Sequence, residues 1–253
     1  MKTVKLSGAN IHYGSLILVN PSWPVKAQPG VDSLSVVDGS GDSVLLERQA
    51  ARVLAKTLSE IGGIGRIAAV SGYRTMHEQQ RLYEACLRDK GEDFTRRYVA
   101  IPGCSEHQTG LAVDLSEDAS PEDMIRPNFP YSGICQLFRQ KAADFGFIER
   151  YPADAQLITH IAHEPWHFRY VGYPHSRIIK NRGFALEEYT GYLRRFHYHE
   201  ERLKFSENGL KCEIGFVPLR LDAAAEVEVP EHMAYQLSGN NVDGMVVTLW
   251  ELR

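Results

Sequence analysis

The sequence predicts an α+β fold, with one larger domain of interspersed helices and strands and a small β-rich C-terminal appendage. Apolar residues recur at helical spacing in some segments and form short strand-like runs in others, without the regular alternation of a doubly wound sheet. From about residue 204 helical spacing gives way to strand-like runs separated by turn residues. We therefore predict a domain over residues 1–203 and an appendage over residues 204–253.

The larger domain begins with loops and one or two short strands over residues 1–45, which are rich in Gly, Pro, Ser and Asn. A helix is predicted over residues 46–62, where apolar residues recur at helical spacing before a Gly-Gly pair. The next helix is expected to begin at Thr75 and to run to about residue 88, because Thr75 and Glu78 have the spacing of a capping box. Strands are further expected over 67–70, 111–115, 147–148 and 161–171, and helices over 134–146 and 186–198.

The C-terminal appendage is predicted from two apolar runs that look like strands, Cys212–Leu219 and Met245–Trp250. Before the second run, Asn240–Gly244 has the Asn, Asp and Gly residues that favour tight turns between strands. Nothing in this segment predicts a catalytic role.

Composition excludes some classes of partner. Hydrophobic residues make up 43% of the chain, charged residues 24%, and the formal net charge is -4, so neither nucleic acid nor an anionic membrane is expected as a partner. The apolar run at residues 15–19 is too short for a signal sequence, and no stretch approaches the roughly 20 apolar residues of a membrane anchor. We therefore expect a cytoplasmic protein, whose four cysteines, lacking any CxxC pair, are reduced thiols: Cys86, Cys104, Cys135 and Cys212.

Two clusters of acidic and histidine residues predict a catalytic zinc site. Such a site needs three protein ligands and an open position for water. His107 and Asp114 lie on either side of a glycine turn, so the chain can fold one back toward the other, and His167 is the candidate third ligand. Glu164 would then lie close to the metal without binding it, where a general base must be. A single His–Asp pair beside a glycine is usually structural, so the prediction depends on the clusters occurring together.

The segment from His163 to His167 also matches HExxH, the helical metalloprotease motif. Pro165 argues against a helix, because proline in a helix interior costs about 3 kcal/mol and the residue before it favours extended geometry. In an extended segment, at roughly 3.3 Å per residue, the two histidines would be about 13 Å apart, too far for one zinc ion. His167 is therefore the expected ligand, and His163 and His160 are each expected to be either a neighbour of the site or a residue that contacts the ligands from behind.

These motifs resemble those of the zinc D-Ala-D-Ala peptidases of the VanX/VanY group, which share their metal-site architecture with lysostaphin-type enzymes and the hedgehog signalling domain. Ser105–Asp114 matches the pattern SxHxxGxAxD, Glu164–His167 matches ExxWH, and Ser71–Arg74 matches SxYR. The longer stretches at 98–107 and 164–172 look most like the VanXY-type subgroup, cytoplasmic bifunctional D,D-dipeptidases and D,D-carboxypeptidases of vancomycin-resistant bacteria. The resemblance spans much of the predicted larger domain, from about residue 45 to residue 198.

The resemblance implies a hedgehog/D-Ala-D-Ala-peptidase-like domain that binds Zn2+ through His107, Asp114 and His167, with Glu164 as general base. It further implies that Arg74 binds substrate and stabilises the oxyanion, which suits a planar, permanently charged guanidinium. Weaker candidates for substrate contacts are Ser105 and Gln79, and Gln79 could equally be a solvated helix residue. The loop between Asp118 and Tyr131 is expected to influence the shape of the pocket.

The substrate implied by the resemblance is a small peptide. Two substrates are implied: the dipeptide D-Ala-D-Ala and the D-Ala-terminated pentapeptide of a UDP-linked peptidoglycan precursor. Hydrolysis of these two substrates contributes to vancomycin resistance. Two alternatives remain open from the sequence. One is an L-Ala-D-Glu endopeptidase of the same zinc fold, and the other is a non-catalytic zinc-binding module. Retention of both Glu164 and Arg74 favours an enzyme over the binding module.

Overall fold

The computed structural model of the chain describes residues 1–37, 44–118, 121–207 and 209–251. Its helices and mostly antiparallel strands confirm the predicted α+β class. The strands of the described residues are β1 (Lys2–Ser7), β2 (Leu34–Val36), β3 (Leu45–Glu47), β4 (Ala68–Ser71), β5 (Ala112–Ser116), β6 (Phe147–Tyr151), β7 (Glu164–Tyr170), β8 (Leu203–Glu207), β9 (Leu210–Pro218), β10 (Ala224–Val229), β11 (Met233–Gly239) and β12 (Gly244–Glu251). The α-helices are α1 (Arg48–Glu60), α2 (Met76–Lys90), α3 (Glu92–Tyr98), α4 (Gly133–Ala142), α5 (Gln156–Thr159), α6 (His175–Arg182) and α7 (Leu186–Leu193).

The chain packs as two compact units. One comprises residues 19–185, and the other combines residues 1–18 with residues 186–253. The second unit thus includes residues 1–18 and 186–203, which the sequence analysis placed in the larger domain. The reason for the first segment is strand pairing, because β1 is paired with β10 along its whole length.

The unit of residues 19–185 is built on a four-stranded antiparallel sheet with the order β4-β5-β7-β6. Every residue of β5 is buried, which agrees with its position inside the sheet. Helix α2 begins at the predicted capping box of Thr75 and Glu78, where each residue's side chain accepts a hydrogen bond from the other's backbone N–H. The sheet and the start of α2 are the elements that position the candidate site.

The other unit is mainly β-structure, as predicted for the C-terminal segment. It contains the two-stranded sheet β1-β10 and the antiparallel sheet β11-β12-β9-β8. The turn at 240–244 links β11 to β12, and the Asn240 side-chain oxygen accepts hydrogen bonds from three backbone N–H groups that follow it. Buried side chains of several strands form its core, including Val4, Leu6, Val217, Val227, Val247 and Leu249.

Three of the predicted helices differ in their bounds. The helix predicted over 134–146 spans Gly133–Ala142, and a 3-10 turn, Ala143–Phe145, follows it. The helix predicted over 46–62 spans Arg48–Glu60, because Leu46 belongs to β3 and the Glu47 carboxylate accepts hydrogen bonds from the N–H groups of the first turn. The helix predicted to reach residue 198 ends at Leu193, since the backbone of the following segment forms hydrogen bonds with Phe216 of β9. None of the helices in the described part of the chain has both the length and the apolar character needed to span a lipid bilayer.

Candidate active site

Sheet register places two of the predicted ligands directly opposite each other. Asp114 on β5 is paired with His167 on β7, and on the other side of β5 it is paired with Ser71 on β4. Opposed residues of an antiparallel pair have their side chains on one face, about 5 Å apart. The pairing therefore accounts for the approach of these two side chains, although 53 residues separate them in sequence.

His107 reaches the same face from a 3-10 turn, Glu106–Thr109. The turn ends at Gly110, whose φ of 72° favours glycine and whose added Cβ would lie 3.0 Å from the Glu47 backbone nitrogen. The His107 ring is held by its Nδ1, which lies 2.6 Å from the Gly72 carbonyl oxygen. Because a carbonyl can only accept, Nδ1 carries the proton and Nε2 is left with a lone pair.

Glu164 begins β7, and an irregularity in the pairing of β6 with β7 lies just after it. Tyr151 is opposite Glu164 and Glu149 is opposite Phe168, so β7 has two more residues than β6 between these pairs. Such bulges redirect side chains, and they accommodate proline, which occurs here as Pro165. The Glu164 carboxylate thereby lies 3.7 Å from His167 Nδ1, on the same side as the predicted ligands.

The three predicted ligands form one compact, buried group. His107 Nε2 lies 3.2 Å from Asp114 Oδ2, and His167 Nδ1 lies 3.0 Å from Asp114 Oδ1. One potential ligand atom from each residue lies within 4.8 Å of the other two. Two imidazole nitrogens and a carboxylate, with a further acid nearby, form a donor set of the kind that holds catalytic metal ions. The group could therefore hold a metal ion.

Burial and mutual charge perturb the acid–base properties of these residues. Burial is the main influence on the pKa of Glu164 and raises it to about 8. Burial also lowers the pKa of His107, to about 4, with the charge of Arg74 acting in the same direction. For His167, burial alone would lower the pKa, but the Asp114 and Glu106 carboxylates raise it to about 9. Burial opposes ionisation of Asp114 as well, yet the two histidines hold the pKa of that carboxyl well below its usual range.

Arg74 is held beside this group by two side chains. Its Nη1 donates to Ser71 Oγ at 2.8 Å and its Nε donates to Gln79 Oε1 at 3.0 Å. Gln79 is fully buried and also donates to the Ala100 carbonyl at 2.8 Å. The structure thus places Gln79 behind Arg74 instead of on a solvated helix face. Ser105, the other weaker candidate, is buried at the cavity wall.

A cavity of about 240 Å³ opens over these residues. The predicted ligands, Glu164, Arg74 and Ser105 all lie on its wall, and the remaining wall is largely apolar. The loop expected to shape the pocket contributes through Met124 and Ile125, while its residues 119 and 120 fall outside the described part of the chain. The lining residues are Val70, Ser71, Arg74, Leu82, Tyr98, Val99, Ala100, Ser105, Glu106, His107, Asp114, Met124, Ile125, Tyr151, Ile161, Glu164, Trp166 and His167.

Glu164–Tyr170 is a strand, which confirms that the HExxH segment does not form a helix. His163 is a third exposed and lies 2.7 Å from the Tyr131 hydroxyl, away from the predicted ligand group. His160 is exposed, at the end of α5. All four cysteines have free thiols in the structure.

A buried cluster of three charged residues behind His167 was not predicted from the sequence. Glu106 Oε1 accepts hydrogen bonds from Arg150 Nε at 2.8 Å and from Arg169 Nη1 at 2.7 Å. Glu106 occupies a variable position of the SxHxxGxAxD pattern, so the motif gave it no weight. The available signal was its position beside His107, together with the arginine two residues after His167 in a segment predicted to be extended.

Comparison with known proteins agrees with this geometry. The model of the VanY family, D-alanyl-D-alanine carboxypeptidase, matches residues 45–173. The chain belongs to the VanY family. The matched span includes all the predicted catalytic and metal-binding residues, and it confirms the resemblance to the VanX/VanY group drawn from the motifs.

Individual relatives extend the comparison. The bifunctional D-Ala-D-Ala dipeptidase and carboxypeptidase VanXYC of Enterococcus gallinarum is 42% identical over 180 residues, which cover 71% of this chain and 95% of that protein. The crystal structure of the vancomycin resistance D,D-dipeptidase VanXYg, in complex with a D-Ala-D-Ala phosphinate analogue, is 45% identical and superposes with a TM-score of 0.94 over 99% of both chains. A D,D-pentapeptidase VanY from a VanB-type resistance cassette, solved in complex with Zn(II), is 32% identical, with a TM-score of 0.57 over 70% of this chain and 98% of that chain.

Proposed function

We propose that this chain is a zinc-dependent D,D-peptidase that hydrolyses the dipeptide D-Ala-D-Ala and removes the terminal D-Ala from peptidoglycan precursor pentapeptides. The observation that carries the proposal is the position of Glu164 beside the His107–Asp114–His167 group, with Arg74 on the wall of the same cavity. Likeness to VanXYg, with its bound D-Ala-D-Ala phosphinate analogue, over almost the whole of both chains supports the same substrate class.

His107, Asp114 and His167 would hold the zinc ion, through His107 Nε2, a carboxylate oxygen of Asp114 and His167 Nδ1. These atoms are buried and mutually close, which suits a small divalent ion. A zinc ion bound there supplies a Lewis acid that makes water a competent nucleophile near neutral pH. The three ligands leave the cavity side of the site open for the peptide.

Glu164 moves the proton in the proposed reaction. Its carboxylate takes a proton from the attacking water as the water oxygen bonds to the scissile carbonyl carbon. The same residue then gives that proton to the amine of the departing D-Ala as the C–N bond breaks. A pKa of about 8, raised by burial, suits a group that must accept and return a proton near neutral pH.

Arg74 binds the developing negative charge. A guanidinium offers a planar set of donors, which suits either the tetrahedral oxyanion or the terminal carboxylate of the peptide. Hydrogen bonds to Ser71 and Gln79 fix this guanidinium before substrate arrives. We therefore propose Gln79 as a residue that positions Arg74, while Ser105 on the cavity wall is available for direct contact with the peptide.

The cavity fits the end of a peptide. Its volume of about 240 Å³ lies below the roughly 300–1,000 Å³ of pockets that enclose drug-sized ligands. It therefore suits a D-Ala-D-Ala dipeptide or the last residues of a longer stem, whose remainder would extend outside. In the cell we propose a cytoplasmic role in removing D-Ala-D-Ala-ended precursors, which would contribute to glycopeptide resistance.

The test is release of D-Ala from D-Ala-D-Ala and from a UDP-linked muramyl pentapeptide, each with and without chelation and with zinc restored. We expect chelator-sensitive release from both substrates. An L-Ala-D-Glu peptide, included as a third substrate, distinguishes the endopeptidase alternative. Release from one D,D-substrate alone would restrict the proposal to that activity. No release from either, by protein with zinc bound, would contradict it and favour another peptide bond or a binding role.

A further inference from the structure

Glu106 and His167 face each other through two buried atoms that no described residue satisfies. Glu106 Oε2 lies 3.5 Å from His167 Nε2, and neither atom has a hydrogen-bond partner among the described residues. Glu106 is 1% exposed and His167 is 4% exposed. Burying polar atoms without partners is costly, so native structures pair them. Glu106 Oε2 is an acceptor and His167 Nε2 is a potential donor, and their separation is slightly longer than a hydrogen bond. A small movement of either side chain would form that hydrogen bond.

The other oxygen of Glu106 is already engaged. Oε1 accepts from Arg150 Nε at 2.8 Å and from Arg169 Nη1 at 2.7 Å. Both arginines are buried and belong to adjacent strands, β6 and β7. The carboxylate is therefore held by the sheet that contains His167, with Oε2 directed at that ring. Its negative charge opposite Nε2 favours the imidazole tautomer that is protonated there.

We propose that Glu106 is the positioning residue of His167, accepting a hydrogen bond from Nε2–H and so leaving the Nδ1 lone pair directed at the metal site. This inference deepens the proposed function, because it requires that the His107–Asp114–His167 group binds a metal ion. Nδ1 is the nitrogen that lies beside Asp114 and Glu164, at 3.0 Å and 3.7 Å. Acidic partners of this kind orient ligand histidines in metal sites, and removing them weakens metal binding roughly 10- to 100-fold.

Glu106→Gln is an informative variant because glutamine keeps the shape and one acceptor oxygen. That oxygen remains the preferred partner of the two arginines, since they can only donate. The amide NH2 then occupies the position of Oε2, where it too can only donate. It favours the His167 tautomer with a lone pair on Nε2 and a proton on Nδ1, which blocks the ligand nitrogen.

Zinc affinity, measured by competition with a chromophoric chelator, tests the inference. We expect Glu106→Gln to weaken zinc binding by roughly 10- to 100-fold relative to wild type. The matched control is Glu164→Gln, which removes a carboxylate charge beside Nδ1 but leaves Nε2 facing Glu106. This variant is expected to keep near-wild-type affinity. Wild-type affinity in Glu106→Gln, or equal losses in both variants, would overturn the inference. Failure of the wild type to bind zinc would instead overturn the proposed function.

A second measurement uses the wild-type protein and so does not depend on whether a variant folds. In zinc-loaded, 15N-histidine-labelled wild type, long-range 1H–15N correlations report which ring nitrogen of each histidine carries a proton. We expect the His167 ring to be protonated at Nε2 and the His107 ring at Nδ1. A His167 ring protonated at Nδ1 would overturn the inference, whatever the stability of Glu106→Gln.

Discussion

His107 and His167 direct different ring nitrogens toward Asp114. His107 is fixed by a backbone carbonyl at Nδ1, so that its Nε2 faces Asp114. His167 faces the same carboxyl through Nδ1 and has Glu106 opposite its Nε2. The sequence identified both histidines as candidate ligands. The choice of nitrogen, however, depends on the Gly72 carbonyl, 35 residues from His107, in one case and on Glu106, in the turn before β5, in the other. No local pattern contains that information.

A buried histidine outside the site gives a prediction on pH and stability. His175 is 3% exposed, and burial lowers its pKa to about 3. The unfolded chain takes up a proton at this residue near pH 6.5, whereas the folded protein does so only near pH 3. The neutral His175 ring therefore contributes fully to the free energy of unfolding above about pH 6.5. This contribution is lost progressively as the pH falls below that value. By pH 5 the loss from this residue should be about 2 kcal/mol.

Urea unfolding of metal-free protein at pH 7 and pH 5 checks this prediction. His175→Gln should show a smaller fall in the free energy of unfolding between the two pH values than wild type does. The exposed His77 provides the control, and His77→Gln should follow wild type. An identical fall in wild type and His175→Gln would refute the assignment.

At the scale of elements, the capping box of α2 links fold stability to the site. Thr75 follows Arg74 directly, and Gln79, which holds Arg74, lies in the first turn of the helix. Thr75→Ala removes the side-chain acceptor of the Glu78 N–H and should cost about 1 kcal/mol in the free energy of unfolding. Since fraying of this turn releases Gln79, kcat/KM should fall as well.

Ser7→Ala is the comparison for this prediction, because Ser7 caps a 3-10 turn in the other unit. It should reduce stability with no effect on turnover of the folded enzyme. Denaturant unfolding and steady-state kinetics under the same conditions separate the two effects. Unchanged stability of Thr75→Ala would contradict the role given to the cap.

Much of this element level could be predicted from the sequence. The Thr75 capping box, the turn at 240–244 and the exclusion of a helix by Pro165 all follow from local backbone chemistry, and all three are confirmed. The bulge that turns Glu164 toward His167 could not be predicted, because it depends on the register between β6 and β7. For the same reason the Glu106–Arg150–Arg169 cluster was missed, since three separate segments contribute to it.

At the scale of the whole molecule, the N-terminal segment was the hardest to assign. Residues 1–18 pack in one compact unit with the C-terminal strands, and Lys2 of β1 is opposite Val229 of β10. When paired strands are this far apart in sequence, the residue pattern around either strand does not indicate which strand it pairs with. The domain boundary predicted between residues 203 and 204 remains a prediction. The candidate site lies wholly within residues 19–185.

The central claim is that Glu164 transfers the proton in a reaction that depends on zinc held by the neighbouring residues. It is tested most directly by D-Ala release from D-Ala-D-Ala by wild type and Glu164→Gln, with the zinc content of both proteins measured by mass spectrometry. We expect equal zinc content in the two proteins and a loss of turnover of about 10²- to 10⁴-fold in the variant. Near-wild-type turnover by zinc-replete Glu164→Gln would contradict it.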